Sequence, residues 1–525
     1  MTLSLAAVWI GAAALAIAIA ARLEQRERWG LLAACAVFGL SAVVSTNSYA
    51  HDDFTHFRNV RAALGDARRL LDLWDRPAMT LLYTPAARFG LVAARLTSMI
   101  PAAIALSATA LASRALGQAR PWLAAVFVVA QYDFFGQASS TMTELLFAAG
   151  FAVAVWGWAA RRPWLVAGGL GYLSIARPEG PLYAALGAAA LLVRERRLGP
   201  VLLAGAPFVA YLSIGAAVHG DLLWYVHLNP YAQKVGLRLE WPQLWGSFFF
   251  TALAHGQPAP VLLLEAMGVG LALHRSGRHL RFLLAPLAIA YLLLTFLKIG
   301  PYDWWRHSRY LVTIAPALAL LASGGFEVAM RRFPRLAPAL LLVAGALFGT
   351  RVLLLERRPP SDHAEVVVIA SLAFSVALAA LLWRLRERVP AHASLSIVLA
   401  LPLVAAPAGA FAHHRPTPGE LQAADAASWL AERGAGLGPV MHDVPGLEAA
   451  CAARGADPCA LELREAQERP PDEVRVVVRQ FVDGAGVASA PDGWRETWRR
   501  VGERVRGPLL RPRTCATVTV VWERE

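Results

Sequence analysis

His51-Asp52-Asp53-Phe54-Thr55-His56-Phe57-Arg58 follows directly on an apolar run, residues 29–47, that is long enough to cross a bilayer. Two adjacent carboxylates at the mouth of a spanning segment govern the reading of what surrounds them, because ionisable groups at that depth need partners or a polar cavity. Behind the pair, Phe54, Phe57, Val60 and Leu64 recur at helical spacing. The residues after Asp53 are therefore predicted to form an amphipathic helix on the interface, with Arg58, Arg61, Arg68 and Arg69 available to lipid phosphates. Asp52 and His56, four apart, share one face of it. One reading makes Asp52 or Asp53 the N-cap and leaves the other to complement the helix dipole. The other reading gives a carboxylate to chemistry.

Outward from that stretch the chain is membrane-like throughout. Counting Gly and leaving out Tyr, roughly 63% of its 525 residues are apolar, against about 45–50% in soluble domains, and only 17% are charged. Apolar length places fourteen spans at about 3–21, 29–47, 95–113, 121–138, 142–160, 163–176, 180–193, 199–218, 259–273, 282–297, 310–329, 336–355, 366–383 and 393–412. The loops at 22–28, 114–120, 161–162, 194–197, 274–281, 331–335 and 384–388 carry nineteen Arg and four Glu and fall on one side of the bilayer. The positive-inside rule makes that side the cytoplasm. Both termini, the large loop 48–94, the loops 219–258 and 298–309, and everything after residue 412 then face outside. The first apolar run lacks the positive amino end of a cleaved signal and is followed by arginines, so it is predicted to stay as a span.

The net charge of +13 does not mark a nucleic-acid partner. Residues 1–412 hold 35 basic and 20 acidic side chains and residues 413–525 hold 15 and 17, so the excess lies wholly in the membrane loops. The chain thus reads as a polytopic α-helical membrane domain, 1–412, followed by a soluble α/β domain, 413–525, on the outer side. Strands are expected at Val440 to Asp443, Val474 to Val478 and Thr517 to Trp522, and helices near 419–433 and 492–505. Cys451, Cys459 and Cys515 all lie there and, in an oxidising compartment, allow one disulfide with one thiol left over. No zinc spacing is present and no metal is assigned.

Further ionisable residues sit at predicted span ends: Asp133, Thr141-Met142-Thr143-Glu144, Arg177-Pro178-Glu179-Gly180 and Arg306-His307-Ser308-Arg309-Tyr310. Each has a plain structural reading. Glu144 can complement a helix start, Arg177 and Glu179 can pair across a proline turn, and Arg306, His307 and Arg309 can be loop charges beside an aromatic belt of Trp304, Trp305 and Tyr310. His56 reads first as an interfacial polar residue, and Glu265 as a buried structural partner.

Taken together, residues 29 to about 330 resemble the integral-membrane glycosyltransferases of the GT-C fold, which take a sugar from a polyprenyl-phosphate carrier. In that family an acidic pair opens a large first outer loop with juxtamembrane helices, and His51-Asp52-Asp53 with 54–94 is similar to it. The three later stretches resemble patterns at outer span ends, the last being similar to the His/Arg-aromatic motif of lipid-linked mannosyltransferases. This chain departs from the family in its additional first span. The resemblance implies an inverting transfer of a sugar, mannose among the candidates, from a polyprenyl-phosphate donor to a lipid, glycan or protein acceptor in envelope synthesis. Asp52 or Asp53 would be the base. Arg177, Arg306 and Arg309 would hold the donor phosphate, supported by His51, His56, Glu144, Glu179, His307 and Tyr310.

Those residue types suit the chemistry, since a carboxylate can take the acceptor proton and the arginine fork can meet two phosphate oxygens. No P-loop, dinucleotide, zinc-protease or nucleophile-elbow motif calls for a cofactor, and a divalent metal stays open. The implied place is a bacterial cytoplasmic membrane, with site and soluble domain facing outside and membrane lipids as partners. A secondary transporter and a non-catalytic envelope-assembly protein are the competing classes. The clustering of ionisable groups on one face argues against the first.

Overall fold

A computed structural model of the protein describes residues 2–44, 50–229, 235–237, 253, 259–299 and 308–332, and in the C-terminal part 426–432, 440–442, 447, 463–465, 476–482, 494–506 and 513–524. The chain divides into one unit of Met1–Ala42, Asn59–Gly349 and Leu372–Pro407, and another of Val43–Arg58, Thr350–Ser371 and Ala408–Glu525.

The described helices of the membrane part, in chain order, are α1 Thr2–Ala20, α2 Gln25–Val44, α3 Ala50–Ala62, α4 Arg76–Ala87, α5 Leu91–Thr97, α6 Met99–Ala115, α7 Pro121–Val129, α8 Tyr132–Gln137, α9 Thr143–Ala159, α10 Pro163–Ala176, α11 Gly180–Glu195, α12 Leu198–His219, α13 Trp224–His227, α14 Ala259–Leu273, α15 Leu284–Phe296 and α16 Ala315–Arg332. Each expected span from 3–21 to 310–329 has helix at its position, while 336–355, 366–383 and 393–412 lie outside the described residues. Among the described residues, four helical stretches are long and apolar enough to cross a membrane: Leu91–Ala115, Leu198–His219, Arg275–Leu294 and Arg309–Arg331.

Packing sorts these helices. The apolar window of Arg309–Arg331 is 89% buried and that of Leu198–His219 only 17%, so α16 is the core of the unit and α12 its lipid-facing rim. Small residues put α16 there. A Cβ on Gly325 would stand 1.8 Å from the Leu264 carbonyl oxygen, so α14 and α16 touch backbone to backbone, as membrane helices do at small residues.

Two expectations for the membrane part change. The run 121–138 is not one helix: it breaks at Gln131, whose backbone is extended (φ −76°, ψ 118°), and restarts as the polar α8. Loop 48–94 carries more than one helix. α3 begins at Ala50, before the acidic pair, so Asp52 and Asp53 lie in its first turn and neither is its N-cap. After a 3-10 turn at Ala67–Leu71, α4 follows, with nine buried residues. Its Thr84 hydroxyl donates to the Val60 carbonyl at 3.0 Å, and the Tyr83 and Ser98 hydroxyls are 2.8 Å apart. Residues 59–94 are thereby built into the bundle of the first unit through α4.

In the second unit a five-stranded sheet runs in the order β4 Leu463–Glu465, β3 Val440–His442, β5 Val476–Val482, β7 Arg513–Arg524, β6 Trp494–Arg506. A separate pair, β1 Val235–Leu237 with β2 Leu297–Ile299, belongs to the first unit. β3 pairs parallel with β4 and β5, and β7 pairs antiparallel with β5 and β6. Residues 426–432 are helical, and Trp429 and Leu430 from them join Val440, Val476, Val478 and Val521 in one core. Residues 492–505 were expected to be helical, and the strand β6 overturns this. Trp494, Trp498, Val501 and Val505 recur at helical spacing in the sequence, but pairing with β7 through a bulge between Glu496 and Trp498 makes the segment a strand. The β-branched partner Thr517–Trp522 then captures it. Cys451 and Cys459 lie outside the described residues, and Cys515 falls in β7.

Candidate active site

Three chain turns of the first unit meet around one carboxylate. Met142, extended at φ −121° and ψ 145°, leads into α9, and the first turn of that helix carries Glu144. Pro178 excludes the helical conformation at the residue before it, so α10 stops and Arg177 is extended at φ −149° and ψ 159°. Gly180 then starts α11 so close to α10 that a Cβ there would lie 1.8 Å from the Leu173 carbonyl oxygen. The third turn is the 3-10 segment Ser308–Ile314 that leads into α16.

Arg177 is the hub. Its Nε donates to Glu179 at 2.6 Å, and its Nη1 lies 3.0 Å from Glu144 Oε1 and donates to Thr143 Oγ1 at 2.8 Å. Arg309 Nε lies 3.7 Å from the same Glu144 oxygen. The ring of Tyr310 lies beneath both cations, 5.4 Å from the Arg177 guanidinium carbon and 5.1 Å from that of Arg309, within cation–π range. Arg309 Nη2 also donates to the Tyr310 hydroxyl at 3.2 Å. Burial opposes the charge on Arg177, but Glu144 and Glu179 outweigh it, so the guanidinium holds its proton more firmly than usual. Within this cluster two buried acceptors have no hydrogen bond to the described residues: Glu144 Oε2 and Gln137 Oε1. Gln137 sits beside the cluster, its Nε2 donating to the Arg309 carbonyl at 3.4 Å.

The structure thus brings together Glu144, Arg177, Glu179, Arg309 and Tyr310 and adds Thr143 and Gln137, which the sequence did not mark for the site. Arg306 and His307 lie outside the described residues. His51, Asp52, Asp53 and His56 are on α3, with Asp53 and His56 buried and Asp52 partly exposed. Among the described residues no three His, Cys, Asp or Glu side chains gather in a way that would hold a metal ion.

A second buried guanidinium escaped the sequence reading. Arg76, 1% exposed, opens α4 with a left-handed backbone (φ 62°), a conformation that favours glycine. Its Nη1 donates to the Tyr225 hydroxyl at 2.8 Å, and its guanidinium lies 5.1 Å over the Tyr225 ring. Nε and Nη2 are buried and make no hydrogen bond of normal geometry to the described residues. Tyr211 fixes the turn before it by donating to the carbonyls of Leu71 and Asp72 at 3.1 and 3.3 Å. Ile175, two residues before Arg177, packs on the same cluster of Leu73, Tyr211 and Trp224, so both arginines lie at one end of α10. The available signal was Asp75-Arg76-Pro77, charges set directly before a proline that opens an apolar run.

No family model matches the chain, and no curated protein matches it. Among solved structures it is similar to ArnT from Cupriavidus metallidurans bound to undecaprenyl phosphate, with a TM-score of 0.58 at 12% identity over 94% of this chain and 98% of that one. It is also similar to the apo state of the same protein, with a TM-score of 0.53 at 14% identity and the same coverage. The chain shares their fold, the GT-C fold.

Proposed function

We propose that the protein is a membrane glycosyltransferase that moves a sugar from a polyprenyl-phosphate donor to an acceptor hydroxyl. The observation that carries this reading is the likeness, nearly end to end, to a protein solved with undecaprenyl phosphate. Arg76 supports it from within this chain. A guanidinium with two buried N–H groups that make no hydrogen bond to the described residues fits two oxygens of a phosphate, and charge-assisted pairs of that kind are strong.

In this reading an aspartate of the pair Asp52/Asp53 takes the proton of the acceptor hydroxyl. The acceptor oxygen attacks the anomeric carbon, the bond from that carbon to the phosphate oxygen breaks, and polyprenyl phosphate leaves with both electrons, inverting the centre. Arg76 holds the leaving phosphate. The N–H groups of Arg177 already meet Glu144, Glu179 and Thr143, so its proposed part is to fix Glu144, whose open Oε2 can accept a sugar hydroxyl. Arg309, with Arg306, is proposed to reinforce the positive field around the phosphate. A hexose is the proposed sugar, with mannose the first donor to test, because 306–310 resembles the mannosyltransferase motif. Envelope synthesis in a bacterial cytoplasmic membrane, an outward-facing site and a C-terminal domain, 413–525, that handles the acceptor complete the proposal.

Purified protein incubated with a set of polyprenyl-phosphate sugars should release free polyprenyl phosphate, and Arg76→Gln should slow that release at sub-saturating donor. Uptake of a solute by reconstituted vesicles, with no release from any donor, would replace this reading with a transporter.

A further inference from the structure

Glu144 and Arg177 lie at one end of α9, α10 and α11, and the opposite ends of these helices, about 25 Å away at 1.5 Å per residue, are joined by two short arginine-rich turns. Arg161 and Arg162 link α9 to α10, and Arg194, Glu195, Arg196 and Arg197 lead from α11 into α12. The turns are neighbours. Arg194 Nη1 donates to the Trp158 carbonyl at 3.2 Å with its guanidinium 4.5 Å over the Trp158 ring, and the Trp164 ring packs on Gly199, where a Cβ would come within 2.9 Å of it.

Their backbone is unusual. Among the described residues, three non-glycine positions have positive φ and all are arginines: Arg76, Arg161 at 55° and Arg196 at 53°. Glycine is the residue such helix-ending positions favour. A charge that only sets membrane orientation has no need of those positions, since any unstrained neighbour would serve equally well. Arginine at these two positions directs its guanidinium where the turn points it. Arg161, Arg162, Arg196 and Arg197 are exposed and make no ion pair among the described residues, and Glu195 is the single acid of the two turns. Val193, Leu198 and Trp164 flank them, 80%, 65% and 58% exposed.

Two arginine doublets side by side, bordered by exposed apolar side chains, match a headgroup of two linked phosphates with acyl chains beside it. Basic pockets between membrane helices take ligands of this chemistry. We propose that turns 160–163 and 194–198 bind a diphosphatidylglycerol-type phospholipid in the leaflet opposite the candidate active site. The site rests on the membrane-embedded fold and not on the glycosyltransferase reading.

The test uses the full chain in detergent, offered equal amounts of phosphatidylethanolamine, phosphatidylglycerol and diphosphatidylglycerol, with bound lipid read by native mass spectrometry. One diphosphatidylglycerol should be retained in preference to the others, undisturbed by millimolar inorganic phosphate. Arg161→Gly with Arg196→Gly keeps the left-handed turns and should leave lipid-free thermal stability unchanged or raised. Retention should fall about fivefold per arginine, about twenty-five-fold for both. Arg162→Gln with Arg197→Gln should weaken retention in the same way. Undiminished retention in the glycine variant, or phosphatidylglycerol held as well as the two-phosphate lipid, would overturn the proposal.

Discussion

Arg177 and Arg309, from turns far apart in the chain, converge on one oxygen of Glu144, at 3.0 Å from Nη1 of the first and 3.7 Å from Nε of the second. With Glu179 on the other side of Arg177, two cations face two anions, and the charges balance among the described residues of the cluster. That balance lets it stand buried at the ends of α9, α10 and α16, where any single charge would be expensive.

Removing one member should therefore hurt more than removing a pair. Arg177→Gln strands Glu144 and is expected to lose about 3–5 kcal/mol of stability, the usual consequence of breaking a buried pair from one side. Combining it with Glu144→Gln removes the stranded charge and should recover part of the loss. Unfolding of the detergent-solubilised variants measures both, and a single variant as stable as the parent would show that the cluster carries no such coupling.

At Arg76 the turn and the side chain are expected to act in opposite directions. Arg76→Gly relieves the backbone at φ 62° and should not lower stability through the turn, yet it removes the proposed phosphate contact. Each charge-assisted hydrogen bond contributes about 1.5–3 kcal/mol, so donor affinity should fall at least about tenfold. Lysine should rescue poorly, because a point charge cannot both reach the Tyr225 hydroxyl and offer two parallel donors. Donor binding equal to the parent in Arg76→Gly would remove this residue from the site.

Gly180 and Gly168 make a matched test of the turn that presents Arg177. A methyl group at 180 meets the Leu173 carbonyl, whereas at 168 nothing lies within 4 Å. Gly180→Ala should displace the start of α11, lower stability and impair turnover, and Gly168→Ala should leave both near the parent. Equal behaviour of the two variants in thermal unfolding and sugar transfer would contradict the close approach.

What the sequence disclosed follows from the range of each interaction. The helices at 3–21 or 199–218 are legible because a bilayer demands a long apolar run, which is a local property. The Arg177 turn is legible because Pro178 and Gly180 dictate its backbone locally. That Arg309 and Tyr310 belong with Arg177 is implied by the resemblance of 306–310 to a span-end motif, but that they meet on Glu144 depends on α16 being drawn into the core by its small residues, a tertiary fact. Arg76 was passed over because a charge before a proline looks like a helix start, and only packing against Tyr225 distinguishes it. At 494–506 the apolar residues fall at helical spacing, and only pairing with β7, a long-range contact, makes the segment a strand.

The acidic pair provides the sharpest test of the catalytic reading. With α3 starting at Ala50, capping no longer accounts for either aspartate, and the two differ in surroundings: Asp53 is fully buried and Asp52 partly exposed. A general base must come within hydrogen-bond reach of an acceptor that arrives from outside, which favours Asp52. Asparagine keeps the size and the hydrogen-bonding of the side chain but cannot take a proton. Asp52→Asn is thus expected to lower the transfer rate at saturating donor by about 10²–10⁴, with donor binding unchanged. Asp53→Asn should act mainly on stability, because it alters a fully buried group. A rate loss confined to Asp53→Asn would move the base to that residue. If both variants transfer sugar at nearly the parent rate, the pair is structural and the proton must go elsewhere.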